Sequence, residues 1–167
     1  MSWSDRRGVL TLLGGIAALA GCGFTPAAAP GQGGTPLDGA VRVAPPDSRD
    51  SFDFVSRLEN RLGRAHSPRY RLEHSLSTEQ RTLGITPEQA VTRLSIVGRA
   101  RYRLTEIATG REIDTGEVRS FTSYSGASST LSTATARADA RKRLMVILAD
   151  QIVTRLQGRL AAEEAAR

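Results

Sequence analysis

Three arginines recur at every second position in one stretch of the sequence, at Arg99, Arg101 and Arg103. If this stretch is a β-strand, its side-chain period of two places all three guanidinium groups on one face, within about 14 Å. Guanidinium groups bind phosphate through paired hydrogen bonds, so the row is a candidate site for an anionic ligand. The same pattern fits a solvent-exposed sheet surface balanced by acidic residues across a hairpin, such as Glu112 and Glu117. The sequence leaves both interpretations open.

Residue types that support catalysis or metal binding are scarce. The 167 residues include one cysteine, Cys22, and two histidines, His66 and His74. One cysteine forms no internal disulfide, and two histidines are too few for a metal-ligand cluster. The sequence has no Gly-x-Ser-x-Gly elbow and no glycine-rich phosphate loop with a lysine. We therefore expect no enzyme activity and no cofactor or metal, and we expect His74 to be a hydrogen-bonded core residue.

The first 22 residues indicate export. Arg6 and Arg7 precede an apolar stretch, residues 9–20, that is too short to span a bilayer as a permanent helix. The stretch runs into Leu-Ala-Gly-Cys, which is similar to the lipobox of bacterial lipoproteins. That similarity implies a signal peptide, residues 1–21, that is cleaved ahead of a lipidated Cys22. The export route, general or twin-arginine, stays open.

The residues after the cysteine predict where the protein is anchored. Gly23 stands where an aspartate tends to retain such lipoproteins in the inner membrane, so the outer membrane is favoured. Residues 22–39 are rich in Ala, Pro, Gly and Thr and predict a flexible lipidated tether. The whole chain carries a net charge of +6. This charge would suit nucleic acid, but a lipid-anchored exported protein seldom meets it, and we expect no such partner.

Hydrophobic periodicity predicts the elements that must hold the arginine row. Val41 and Val43 indicate a short strand, and Asp50 or Ser51 can cap a helix that ends near Gly63. The apolar stripe of this helix consists of Phe54, Val55, Leu58 and Leu62. Apolar residues at every second position then predict a half-buried strand over residues 69–76.

The second half predicts a hairpin and a long helix. Alternation over residues 93–104 predicts the strand that carries the arginines, and residues 112–124 predict its hairpin partner. Val118 and Phe121 are both expected to face the core, which requires one shift of phase, and Gly116 is the natural bulge. A final helix is expected from Ser132 or Thr133 to about residue 164. Its apolar stripe recurs every four residues at Leu144, Leu148, Ile152, Leu156 and Leu160.

The order βαβββα predicts an α+β fold for a single domain, residues 40–167. We expect two helices packed on one face of a mostly antiparallel four-stranded sheet. If the helices cover the apolar face, the arginine row faces outward.

The chain resembles the LptE family of LPS-assembly lipoproteins. The resemblance rests on Cys-Gly-Phe-Thr-Pro at residues 22–26, on the hairpin from Tyr102 to Tyr124, and on the final helix with Leu-Ala-Asp-Gln-Ile at residues 148–152. It implies a non-enzymatic, lipid-anchored outer-membrane protein that sits inside the lumen of the LptD β-barrel and assists its assembly. It also implies that the protein helps lipopolysaccharide reach the outer leaflet. Lipopolysaccharide phosphate is then the expected ligand of the arginine row.

Two other classes of function stay open. A lipid-anchored periplasmic accessory protein could use the long helix to activate a cell-wall synthase or to assist an ABC-type lipid transporter. A small lipid-anchored hydrolase would need a cleft with convergent polar residues, and the sequence does not indicate one.

Overall fold

The computed structural model describes residues 37–85, 91–126 and 130–165. They form four strands and two helices in the order βαβββα, which confirms the expected α+β fold class. The elements are β1 (Val41–Val43), α1 (Arg49–Leu62), β2 (Tyr70–Ile85), β3 (Val91–Glu106), β4 (Glu112–Ser125) and α2 (Thr130–Ala165). The expected signal peptide, Cys22 and most of the expected tether lie outside the described residues.

The four strands form one sheet in the order β1-β2-β3-β4. β1 runs parallel to β2, with Val41 beside Tyr70, and the other neighbouring pairs are antiparallel. The β3–β4 hairpin turns at Gly110, whose φ of 69° favours glycine. The Gly110 N–H donates to the carbonyl of Glu106 at 2.9 Å, which closes the turn.

β2 continues nine residues beyond its predicted end at Leu76. The apolar alternation stops there, but pairing with β3 continues to Ile85 and Val91. Backbone hydrogen bonds form this ladder whatever the polarity of the side chains. Because the residues that follow Leu76 do not alternate between apolar and polar, the sequence pattern did not predict the rest of the strand.

The predicted bulge at Gly116 is wrong. The pairing shifts where Leu104 and Thr105 of β3 face Asp114 and Glu112, which leaves Ile113 unpaired and buried. From Asp114 to Ser125 the register is continuous. Val118 therefore faces the core, whereas Phe121 lies on the opposite face and is 65% exposed.

Helix α1 is capped by Ser48 rather than by Asp50 or Ser51. The Ser51 N–H donates to Ser48 Oγ at 3.2 Å, and the Ser48 N–H donates to Ser51 Oγ at 2.8 Å. This reciprocal pair is a capping box that uses serine at the third helical position. The predicted stripe of α1 is buried. The helix ends at Gly63, whose φ is 72°.

Helix α2 supplies much of the core. All five residues of its predicted stripe are buried, together with Ala140, Met145, Ala149 and Val153. It begins at Thr130, two to three residues before the predicted caps. Gly98 of β3 lies beneath it, and a Cβ there would stand 2.9 Å from Leu144 Cδ2 and 3.0 Å from Leu148 Cδ1. Glycine at this position therefore allows the helix to lie close to the sheet.

Candidate functional site

The side chains of Arg99, Arg101 and Arg103 lie on the sheet face opposite the helices. Their neighbours in β3, Ala100 and Tyr102, are buried in the core that the helices cover. Because side chains alternate along a strand, the arginines face outward. The side chains of Arg101 and Arg103 are 74% and 59% exposed. The structure thus brings the row together, and its binding of a ligand stays a prediction.

Two of the three arginines have the acidic partners that the sequence suggested. Arg101 Nε lies 2.9 Å from Glu117 Oε2, and Arg103 Nε lies 3.1 Å from Glu112 Oε2. Both carboxylates belong to β4, across the hairpin. These exposed pairs neutralise part of the charge but are weak enough for an anionic ligand to compete.

Arg99 differs from the other two arginines. Among the ion pairs of the described residues, none includes Arg99. Its neighbour across the hairpin is another arginine, Arg119. Arg119 Nη2 lies 3.6 Å from Glu117 Oε1, and Glu117 also pairs with Arg101. One carboxylate is therefore shared by two arginines, and positive charge remains around Arg99 and Arg119.

Two hollows follow the row along the outward face. The larger, about 570 Å³, is lined by Arg101, Arg103 and Glu117, with Glu73 and Ser75 of β2. The smaller, about 210 Å³, is lined by Arg99 together with Ser77, Thr78, Glu79 and Val97. An anionic group would contact guanidinium groups and strand hydroxyls in either hollow, two arginines in the larger and Arg99 in the smaller. It would also meet carboxylates, those of Glu73 and Glu117 in the larger hollow and that of Glu79 in the smaller.

On the inner face, Tyr102 connects the arginine strand to β4 and α2. Its hydroxyl donates to Asp114 Oδ2 at 2.8 Å, and its ring covers Gly116, where a Cβ would lie 3.1 Å from the Tyr102 oxygen. Burial and the Asp114 carboxylate raise the pKa of Tyr102 to about 12, although Arg155 opposes this shift. Gly116 thus makes room for an aromatic ring.

His74 is half-buried against the core residue Phe54 and lacks the expected hydrogen bond at Nδ1. Its ring centroid lies 5.2 Å from that of Phe54, and the buried Nδ1 has no hydrogen-bond partner. Burial lowers the pKa of His74, and the charge of Asp47 only partly offsets this. The neutral form of the His74 imidazole is therefore favoured, which is compatible with its contact with the Phe54 ring.

The sequence analysis did not place Phe121 and Arg119 on the outward face of the sheet. The assumed bulge at Gly116 turned Phe121 inward, and Arg119 was not included in the row. Strict alternation of side chains from Asp114 onward, with the β-bulge at Ile113, would have placed both Arg119 and Phe121 on the outward face.

The described part of the chain has no group of three or more His, Cys, Asp or Glu side chains that could hold a metal ion. Within the same residues, no helix is long and apolar enough to cross a membrane.

Comparison with known proteins identifies the family. A family model described as LptE, lipopolysaccharide-assembly, matches residues 39–156. The chain belongs to the LptE family. The match includes the whole sheet, helix α1 and most of α2. No curated protein matches the sequence significantly.

Solved structures share the LptE-family fold at low sequence identity. A lipoprotein from Caulobacter crescentus has a TM-score of 0.63 at 20% identity, covering 75% of this chain and 93% of its own. Rare lipoprotein B from Shewanella oneidensis gives 0.58 at 15% identity, covering 75% and 97%. Lipoprotein B from Nitrosomonas europaea gives 0.57 at 16%, covering 77% and 87%. These similarities support the fold, and family membership makes the chain an outer-membrane lipoprotein of lipopolysaccharide assembly.

Proposed function

We propose that this LptE-family lipoprotein is a non-enzymatic partner of an LptD-type outer-membrane β-barrel. It sits in the barrel lumen, assists assembly of the barrel and helps deliver lipopolysaccharide to the outer leaflet. Family membership supports the pathway. The single structural observation that carries the proposal is the outward-facing arginine row, in which Arg101 and Arg103 are exposed and Arg99 is half-buried, because a polar, charged face suits a barrel interior that carries an anionic lipid.

Within this function, the arginine row binds the phosphorylated part of lipopolysaccharide. Arg99, Arg101 and Arg103 point to the same side, and the two hollows lie beside them. Phosphate competes with the exposed carboxylates of Glu112 and Glu117 for Arg103 and Arg101. Arg99 forms no ion pair among the described residues, and the carboxylate in its hollow, Glu79, is already paired with Arg81, so loss of Arg99 should weaken binding most.

Lipopolysaccharide binding by charge-changed variants tests this role. The mature chain with Cys22→Ala is the parent, and the face variant replaces all three arginines by glutamine. A matched control replaces Arg137, Lys142 and Arg143, which are exposed on α2, so both variants lose three charges. We expect a loss of at least tenfold in affinity for the face variant, a change within twofold for the control, and weaker binding as salt rises.

Equal losses in the two variants would mean that only net charge matters, and no loss in the face variant would exclude the row as the site. Circular dichroism checks that each variant is folded.

Purification of the tagged lipoprotein from detergent-solubilised outer membranes tests the barrel partnership. We expect one large barrel protein in a one-to-one complex, and depletion of the lipoprotein should reduce correctly assembled barrel and surface lipopolysaccharide. Recovery of a cell-wall synthase or an ABC transporter instead would support the accessory-protein alternative. Normal barrel levels after depletion would refute the proposal.

A further inference from the structure

β4 forms one edge of the sheet, and its outer side is free of any neighbouring strand among the described elements. It has 14 residues, whereas the strand at the opposite edge, β1, has three. A long edge strand presents unpaired backbone N–H and C=O groups that can accept an added strand.

Side-chain hydrogen bonds show which backbone groups of β4 point outward. Ser95 Oγ of β3 donates to the Thr122 carbonyl at 3.3 Å, so this carbonyl faces β3. Arg155 Nη1 of α2 donates to the Glu117 carbonyl at 2.9 Å, as expected of a carbonyl that points away from the ladder. Backbone groups alternate in an antiparallel strand, and the register is continuous here. Beyond Glu117, the backbone groups of Arg119, Phe121 and Ser123 point the same way as those of Glu117, as do those of the last residue of the strand, Ser125.

Residues 119, 121 and 123 form what we call the open edge. Within the described chain, no hydrogen bond outside the ladder reaches their backbone groups. Arg155 occupies the carbonyl of Glu117 and so protects only the start of this side of β4. The open edge therefore has free donors and acceptors along about 13 Å of strand.

The side chains at the open edge add an apolar group and an unbalanced charge. Phe121 is 65% exposed and lies directly across from Val97. Arg119 lies across from Arg99 in a pair without backbone hydrogen bonds, in which side chains are closest. Like charges so placed repel. A carboxylate from outside the chain would relieve this repulsion.

We propose that the open edge binds an extended segment of the partner barrel protein by β-strand addition. The inference rests on the proposed function for the identity of the partner. The added segment places an acidic side chain against Arg119 and an apolar side chain against Phe121, while its backbone pairs with residues 119–123. A second copy of this chain fits less well, because edge-to-edge pairing would bring another Arg99 and Arg119 to a surface that is already basic.

Proline at an outward-facing position separates strand addition from folding. Ser123→Pro removes an outward N–H but leaves the ladder to β3 intact, whereas Ser123→Ala keeps that N–H and is the matched control. Each full-length lipoprotein is co-expressed with the LptD-type barrel of the same organism, and the complex is purified in detergent. We expect Ser123→Pro to recover at least fivefold less barrel and Ser123→Ala to recover within twofold of the wild type.

Phe121→Pro repeats the test at the centre of the open edge, with circular dichroism to confirm folding. A photoreactive phenylalanine analogue at position 121 should crosslink to the barrel, and the same analogue at Phe52, which is exposed on α1, should not. If folded proline variants recover normal amounts of barrel, strand addition is wrong while the proposed function stands. If the wild type recovers no barrel, both fail. A crosslink to a second copy of this chain also overturns the inference.

Discussion

Gly98 is the residue that sets the distance between the sheet and the long helix. A Cβ at this position would lie 2.9 Å from Leu144 Cδ2 and 3.1 Å from Leu144 Cγ. We predict that Gly98→Val lowers the free energy of unfolding by about 1–3 kcal/mol, because the two methyl groups must displace packed leucines. Chemical denaturation measures the change.

Gly158 is the control for this prediction. It lies in α2, and nothing stands within 4 Å of a Cβ built there. Gly158→Ala should therefore raise the free energy of unfolding by about 0.5–1 kcal/mol through helix propensity. A stable Gly98→Val protein would show that α2 can move away from β3 without loss.

Tyr102 should make the free energy of unfolding depend on pH in the alkaline range. The folded structure raises its pKa from about 10 to about 12, so the neutral phenol is favoured in the folded state. The stabilisation is fully present below the unfolded pKa and is lost as pH rises through the folded pKa. We predict that the Tm advantage of the wild type over Tyr102→Phe shrinks between pH about 10 and about 12. Thermal unfolding followed by circular dichroism across that range tests this.

Tyr70→Phe is the matched control, because it removes one phenol hydroxyl elsewhere in the core. A Tm difference between the wild type and Tyr102→Phe that stays constant up to pH about 12 would contradict the assignment of the alkaline effect to Tyr102.

At the scale of elements, helix α1 shows how a local rule predicts a helix but misplaces its start. Three residues near its start, Ser48, Asp50 and Ser51, all suit a cap. Only the three-dimensional contacts show that Ser48 and Ser51 bond to each other's backbone N–H groups. We predict that Ser48→Ala lowers the free energy of unfolding by about 1 kcal/mol.

Ser56→Ala makes the same chemical change in the middle of α1 and should alter stability by less than about 0.5 kcal/mol. Equal effects of the two substitutions in urea unfolding would show that the capping box contributes nothing.

The periodic elements were predictable because burial imposes their spacing. The stripes of both helices and the outward direction of Arg99, Arg101 and Arg103 follow from period alone. The bulge at Ile113 could not be predicted, because the position of a register shift depends on which residues of β3 pair with β4. The polar end of β2 was missed for a related reason: its partner strand, and not its own side chains, holds it in the sheet.

At the scale of the whole molecule, the two faces of the sheet have separate roles. The inner face and both helices form the core, which contains 24 buried hydrophobic residues among those that the structure describes. Ion pairs such as Arg57 with Asp150 and Arg141 with Asp50 join the two helices. The outward face and the β4 edge are the surfaces to which we assign the proposed ligand and partner. Substitutions on the outward face should therefore change binding with little effect on folding.

The predicted lipid anchor is Cys22, which lies outside the described residues. We predict that Cys22→Ala abolishes incorporation of labelled palmitate and moves the protein from the outer-membrane fraction to the soluble periplasmic fraction. A stable anchor needs more than one acyl chain, and lipidation of this cysteine would supply them together. The Tm of the variant should equal that of the wild-type domain, because the sequence places Cys22 in the predicted tether and not in the predicted domain. Palmitate labelling that persists in the variant, or a wild type that fractionates as soluble, would show that Cys22 is not the anchor.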